Sequence, residues 1–397
     1  MGTSAVAKAE KLNKEKLPPL DLPFLVLVIL VLISGLVMLF SASYAAGLAD
    51  EGDSMYYIKR QLIAALLGVG AMLVASRFNY RFYRRLSVVA AGVSLLLLIL
   101  VFPMGVTVNG ARRWIYLGLR FQPSEIAKIG MILLLAHVIT KYYDKMTNFT
   151  YGILIPLGIT GVFSLLVMIE PHLSGAVLLV VIGAVMVFVG GANWKHLLLC
   201  FLVVLLLVVL VVSMTSYMGK RVNAWLDPWS DPQGEGYQII QSLYAIGSGG
   251  LMGLGLGNSQ QKYGYLPEAH NDYIFSIACE ELGFIGAVVI ILLFALLVWR
   301  GFRIALKAED KFGCLICVGV MTQVGAQTLL NIAVVSNAIP STGISLPFFS
   351  YGGTSLVLLL LEMGVVLNIS RYSGSPEGAS NPRRGSALAR RTTTEGR

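Results

Sequence analysis

Three ionisable side chains and a carboxamide fall within five residues at Glu268, His270, Asn271 and Asp272. They lie in the stretch Leu266-Pro267-Glu268-Ala269-His270-Asn271-Asp272-Tyr273-Ile274-Phe275, where a polar segment runs into an apolar one. Two carboxyls and an imidazole this close are the materials of general acid–base chemistry. Asn271 is a good helix N-cap, so Asp272 is expected in the first turn of the span that follows, held by a rigid element. The plainer reading of Asp272 is that it only complements the helix dipole.

Other polar groups interrupt apolar sequence in the same way. Arg112, Arg113 and Arg120 precede an apolar run, and adjacent arginines present forked donors that match phosphate oxygens. They bind either nearby carboxylates and lipid head groups or an anionic substrate. Glu125 and Lys128 are three residues apart and share one helix face. They form either a structural salt bridge or the polar floor of a substrate cavity, with Lys128 free to meet a phosphate. Glu170-Pro171-His172 reads either as a short polar turn or as a Glu and His that titrate together, and Glu362 is expected to pair with another helix. His137 and His196 read as structural. Cys314 and Cys317 make half of a tetrahedral metal site with no histidine nearby, so ligation is not expected.

What must position these groups is a membrane bundle. The chain has 397 residues, 56% of them hydrophobic and 13% charged, and its mean hydropathy is +0.76. One soluble core cannot bury that much apolar sequence. Ten apolar runs stand out, near 22–45, 61–76, 86–105, 124–141, 151–169, 173–191, 194–215, 272–299, 312–336 and 350–370. Open sheet edges are not tolerated in lipid and the runs exceed barrel strands in length, so the expected fold is all-α and polytopic, with ten transmembrane helices. Pro156 and Pro171 are expected to bend or end the fifth. The first run is too long for a cleaved signal core and reads as a retained anchor.

With the amino terminus in the cytoplasm, 21 of the 30 Lys and Arg fall on inner segments, including Lys8 to Lys16, Arg77 to Arg85, Arg300 to Lys311 and the tail after Arg371. The positive-inside rule therefore places both termini in the cytoplasm. The formal charge of +9 is explained by orientation, and no case remains for nucleic acid. The expected organisation is a disordered tail over 1–19, a membrane domain over 20–372 and a basic tail over 373–397. A long extracytoplasmic loop over 216–271 joins helices 7 and 8, and the loops near 106–123 and 337–349 lie on the same side. Within the long loop, Tyr237–Ile246 is expected to form a short interfacial helix. The Gly-rich run from Gly247 to Gly257 is expected to be a pliable turn or broken helix near the interface, or a site of close backbone approach to a lipid or sugar head group.

These motifs resemble the SEDS family (shape, elongation, division and sporulation) of FtsW, RodA and SpoVE, and its division type, FtsW, most. The resemblance spans about 20–372 and rests on NGARRWI at 109–115, FQPSEIAK at 121–128, GEGYQ at 234–238, YLPEAHNDYIF at 265–275, EELGFIG at 280–286 and LPFFSYGGTS at 346–355. It implies a peptidoglycan glycosyltransferase that polymerises lipid II outside the cytoplasmic membrane, enriched at the septum, with an elongation- or sporulation-type polymerase as the alternative. Asp272 stands where the family has its essential Asp, and Glu125 and Lys128 stand where it has its fourth-span Glu and Lys. The implied roles are base for Asp272, pyrophosphate contacts for Arg112, Arg113 and Lys128, and orientation of the acceptor or of Asp272 for Glu268 and His270. A divalent cation, Mg or Mn, is the one cofactor left open. The implied partners are a class B penicillin-binding transpeptidase and other divisome proteins. A lipid II flippase is the rival class, but a flippase needs polar groups along a path through the bilayer, and here they gather on one face.

Overall fold

The computed structural model describes residues 19–108, 111–117, 119–170, 172–202, 222–234 and 236–372. Both tails, Pro171, Glu235 and most of the seventh apolar run lie outside them. Eight helices are long and apolar enough to cross a membrane. These are α1 (Leu22–Glu51), α2 (Tyr56–Ala75), α3 (Arg81–Met104), α4 (Pro123–Lys141), α5 (Ile155–Ile169, entered through a π-helical turn Thr150–Leu154), α8 (Ile274–Leu306), α9 (Lys311–Val335) and α10 (Gly353–Arg371). The shorter apolar helix α6 (Leu173–Val189) completes nine of the ten expected elements. The tenth, expected over 194–215, is helical over 194–202 and then passes outside the described residues. Pro156 does not break α5; it occupies the first turn of the α-helical part, where its missing N–H is not needed.

Two aspartates set helix starts. Asp21 accepts from Phe24 N at 3.0 Å to cap α1, and Asp310 accepts from Gly313 N at 2.9 Å to cap α9. α9 is the buried centre of the bundle and packs against α4, α6 and α8, while α2 lies along α10 and α3 along α4.

The segment expected as a plain loop over 106–123 is instead a small antiparallel meander: β1 (Val106–Val108), β2 (Ala111–Leu117) and β3 (Leu119–Phe121). Trp114, Ile115 and Tyr116 supply the branched and aromatic residues that favour strands. In the long loop, the expected short helix forms as α7 (Tyr237–Ser248), with Ile239, Ile240 and Ala245 buried.

The Gly-rich run after α7 does make close backbone contact, but with a helix. At Gly283, α8 departs from helical geometry, with φ 67° and ψ −169°. Leu254 N and Gly255 N donate to the carbonyls of Glu280 and Glu281, and Phe284 N and Ile285 N donate to those of Gly250 and Leu251. The loop thus satisfies the backbone groups that the kink frees. A buried ion pair locks it down: Lys262 Nζ lies 2.9 Å from Glu281 Oε1, and Ser41 of α1 donates to the same carboxylate at 2.6 Å.

Both partners of this pair are at least 98% buried, so removing one leaves an uncompensated charge. Lys262→Met is expected to destabilise the protein by about 3–5 kcal/mol. Lys262→Met with Glu281→Gln should recover much of that loss. Thermal unfolding in detergent of the single and double variants checks this.

Candidate functional site

The polar stretch closes a turn before the helix begins. α8 starts at Ile274, its cap residue Tyr273 makes no side-chain capping bond, and 271–273 form a turn. Asn271 Nδ2 donates to Glu268 Oε2 at 2.5 Å. The expectation that Asn271 caps the helix and Asp272 fills its first turn is therefore corrected: Asn271 makes a charge-assisted bond to a carboxylate instead. Glu268 itself has φ 55°, a left-handed conformation that costs a non-glycine residue on the order of 1–3 kcal/mol. Its carbonyl accepts from Asn271 N and Tyr273 N, which holds the turn closed.

Neighbouring elements fix this turn from two sides. Asn331 of α9, fully buried, donates to the carbonyls of Asp272 and Ile344, each at 2.7 Å. Ser350 donates to the Asn271 carbonyl at 2.7 Å, and Tyr351 N to the His270 carbonyl at 3.0 Å. Ser174, at the start of α6, donates to the carbonyls of Thr342 and Gly343. The Asp272 carboxylate lies against Gly343, where a Cβ would come within 3.1 Å of Oδ2. The 337–349 segment and the polar stretch thus form one site, as their shared face suggests.

The arginines divide. Consecutive side chains on β2 point to opposite faces. Arg112 turns back and donates from Nη1 to the Phe102 carbonyl at 2.8 Å, exposed to solvent. The expected double fork of Arg112 and Arg113 is therefore corrected. Arg113 is half-buried, and its charge acts on Asp272, Glu170 and His172. The side chain of Arg120 lies outside the described residues.

Electrostatics around Arg113 set the titration of its neighbours. Burial pushes the Asp272 carboxyl up to about 6, the charge of Glu268 adds to the rise, and Arg113 opposes it. Burial pushes Glu170 up to about 8 against the pull of Arg113. His172 is pushed down to about 3, by burial first and by the Arg113 charge second. The neutral ring faces Gln122 Nε2 at 3.2 Å from Nδ1. Reading Glu170-Pro171-His172 as a plain polar turn is corrected accordingly. Glu170 and His172 belong to the site, and no pattern local to the sequence ties them to Arg113, which lies on a strand more than fifty residues away.

Both readings of Glu125 and Lys128 hold together. They form a buried pair at 2.8 Å, and Ser355 donates to Glu125 Oε2 at 2.8 Å. With Gln327, Ser345 and Tyr351 they line a small cavity of about 30 Å³. Lys128, expected to be free for a phosphate, is engaged by Glu125 and by Gln327 Oε1 at 3.4 Å. Asp272 does not line this cavity, and His172 feels the charges of Arg113, Glu125 and Lys128. Glu362 finds its partner on another helix as expected, accepting from Gln323 Nε2 at 2.9 Å. His270 stacks on Tyr57, ring centroids 4.4 Å apart, and the charges acting on it are those of Glu268 and Asp50. It joins an aromatic cluster with Tyr57 and Tyr351.

Fold and site together define a polytopic helical membrane protein that carries a half-buried carboxylate at one end of its bundle. The chain belongs to the FtsW/RodA/SpoVE family of cell cycle proteins, whose model matches residues 21–375. It is 44% identical to stage V sporulation protein E of Bacillus subtilis (strain 168) over 356 residues, covering 89% of this chain and 97% of that protein. It is 40% identical to the probable peptidoglycan glycosyltransferase FtsW of Geobacter sulfurreducens (strain DL-1 / KN400) over 369 residues, covering 92% and 99%. Among solved structures, a chain of a peptidoglycan synthase complex superposes with a TM-score of 0.76 at 34% identity, covering 90% of this chain and 99% of that one. The rod shape determining protein RodA of Thermus thermophilus gives 0.67 at 30% identity, covering 90% and 98%.

Asn331→Leu removes both tethers and leaves two carbonyls without their partner, at a cost of about 2–4 kcal/mol. Amide exchange is expected to speed up together in 266–275 and 342–351. Acceleration in one segment alone would show that Asn331 does not join them.

Proposed function

We propose that this protein is a peptidoglycan glycosyltransferase that polymerises lipid II into glycan strands on the outer face of the bacterial cytoplasmic membrane, for septal wall synthesis. The observation that carries the reading is the setting of Asp272: a half-buried carboxylate raised to about 6 by burial and Glu268, with the Arg113 charge beside it. Likeness to proteins named as probable peptidoglycan glycosyltransferases supports the substrate class. Likeness to a stage V sporulation protein keeps a sporulation role as the second reading.

Lipid II carries its disaccharide on a pyrophosphate, already a good leaving group, so the reaction needs one base and cationic stabilisation of the departing charge. Asp272 takes the proton of the acceptor GlcNAc 4-hydroxyl, whose oxygen attacks the MurNAc anomeric carbon. The bond to the pyrophosphate breaks with inversion, and the electron pair leaves with undecaprenyl pyrophosphate. A base titrating near 6 is ionised at neutral pH yet basic enough to accept a proton in the transition state. Arg113 is the arginine placed to meet the pyrophosphate. Glu268 tunes Asp272, and the Glu125–Lys128 pair floors the neighbouring cavity.

Among the described residues no three His, Cys, Asp or Glu gather as a metal site. Mg or Mn, where one takes part, would be held chiefly by the pyrophosphate oxygens, which suits a cation that keeps few protein ligands. When bound, it would offset the charge of the leaving group. Both termini face the cytoplasm in this reading. The partner is a class B penicillin-binding transpeptidase within the division machinery, in keeping with the likeness to a chain of a peptidoglycan synthase complex.

Labelled lipid II incubated with the purified protein and its transpeptidase tests the reading. Wild type is expected to give glycan ladders, and Asp272→Ala or Asp272→Asn to lower the rate by at least about 10²-fold. Ladders at full rate from Asp272→Asn would sink the mechanism. No ladders from wild type, with lipid II crossing in vesicles, would make the protein a flippase.

The pH profile follows from the same carboxylate. Protonation removes the base, so log kcat/KM is expected to rise with unit slope below about pH 6 and to level off above it. Glu268→Gln removes a charge that raises the Asp272 pKa, so the acid limb should move to lower pH. Arg113→Gln should move it higher.

A further inference from the structure

A second site lies at the opposite end of the bundle. Beyond the break at Gly283, α8 runs from Phe284 to Leu306 for about 34 Å, more than the roughly 30 Å of a hydrocarbon core. Its far end therefore reaches the other membrane face. There the start of α1 and the ends of α8 and α10 border an open cavity of about 200 Å³ lined by Leu20, Asp21, Arg300, Arg303, Lys307 and Ser370 among others. Arg300, Arg303 and Lys307 stand at i, i+3 and i+7, on one face of the helix.

Three cations meet one carboxylate in this lining, leaving two positive charges in excess. Asp21 is already committed: it accepts from Arg300 Nε at 3.0 Å and Nη2 at 2.8 Å while capping α1. Among the described residues, Arg303 and Lys307 have no carboxylate within salt-bridge distance. The Arg303 guanidinium sits 5.5 Å from the centre of the Trp299 ring.

The surroundings choose between ligands. Trp299 and Leu306 are 54% and 81% exposed beside the cavity, and Leu292 and Leu296 continue the apolar surface along α8. Trp at this depth marks the head-group level of a bilayer. A soluble anion would meet the two cations and leave the apolar flank unused. A diacyl lipid places its phosphate between the cations and its chains along that flank. Basic cavities between membrane helices recognise anionic head groups for this reason. We propose that this cavity binds the head group of an anionic phospholipid, its phosphodiester held between Arg303 and Lys307.

Native mass spectrometry of the full chain, delipidated and titrated with phosphatidylglycerol, cardiolipin or phosphatidylethanolamine, tests the proposal. Wild type should bind an anionic lipid at least tenfold more tightly than the zwitterionic one. Arg303→Ala with Lys307→Ala should weaken binding roughly 30-fold, from about 1 kcal/mol per basic side chain at a membrane surface. Arg303→Lys with Lys307→Arg should keep it, and thermal unfolding verifies that each variant is folded. Arg84→Ala with Arg85→Ala, on the same membrane face but outside the cavity, should change it less than threefold. Unchanged affinity in the Arg303/Lys307 double alanine variant, or an equal loss in the Arg84/Arg85 control, overturns the site. Displacement of the lipid by glycerol 3-phosphate at equal concentration would make it a soluble-phosphate site and overturn the lipid assignment.

Discussion

Hydrocarbon offers no partner to an N–H, a carbonyl or a charge, so every polar group that enters this bundle must be answered by another part of the same chain. The answers come from far away in sequence. Gln61 of α2 donates to the Ser350 carbonyl and accepts from Gly352 N. Asn331 of α9 spans Asp272 and Ile344, and Gln323 meets Glu362. The Gln61 and Asn331 contacts draw outer segments back onto the bundle, and the Gln323–Glu362 contact joins α9 to α10, so the requirement that makes the polar residues expensive also shapes the loops into a site.

The site that results is an electrostatic balance. Asp272, Glu170 and His172 all lie in the field of Arg113, and burial works on each of them before any charge does. Glu170, pushed up to about 8, favours its neutral form even beside Arg113, so the ionised base of the site is Asp272, which Arg113 holds lower than burial alone would. With a second arginine facing inward, Asp272 would be held lower and would be a weaker base. The strand alternation that sends Arg112 outward and Arg113 inward sets the cationic charge at an intermediate level.

Much of this was legible in the residues. Nine of the apolar runs are helices with edges displaced by a few positions, and α7 lies where the spacing of Tyr237–Ile246 places it, because burial in lipid demands a pattern that sequence records directly. Asp272, Glu268, Arg113 and the Glu125–Lys128 pair stood out because ionisable residues interrupt apolar sequence there. The meander was hidden because three short strands carry too little periodicity to separate from a loop. Asn271 was misread because a good cap residue and a good carboxylate partner have the same side chain, and only the position of Glu268 decides between them. For Glu170 and His172 the sequence offers a polar turn or a co-titrating pair and no link to Arg113, because that residue lies on a strand too short to show in the pattern.

The division of α8 shows how such long-range answers govern function. Gly283 breaks the helix nine residues after its start, and the carbonyls and amides that would bond along the axis bond to 250–255 instead. The segment 274–282 is therefore fastened to the Gly-rich loop, and through Lys262, Glu281 and Ser41 to α1. The remainder of the helix packs with α9 and carries Arg303 and Lys307 to the opposite face. A straight helix would tie the position of Asp272 to the tilt of α8 in the bilayer. A broken one lets the loop fix Asp272 against Gly343 and Asn331 while the lower part answers to lipid, so the geometry of the site is set by protein contacts and not by membrane thickness.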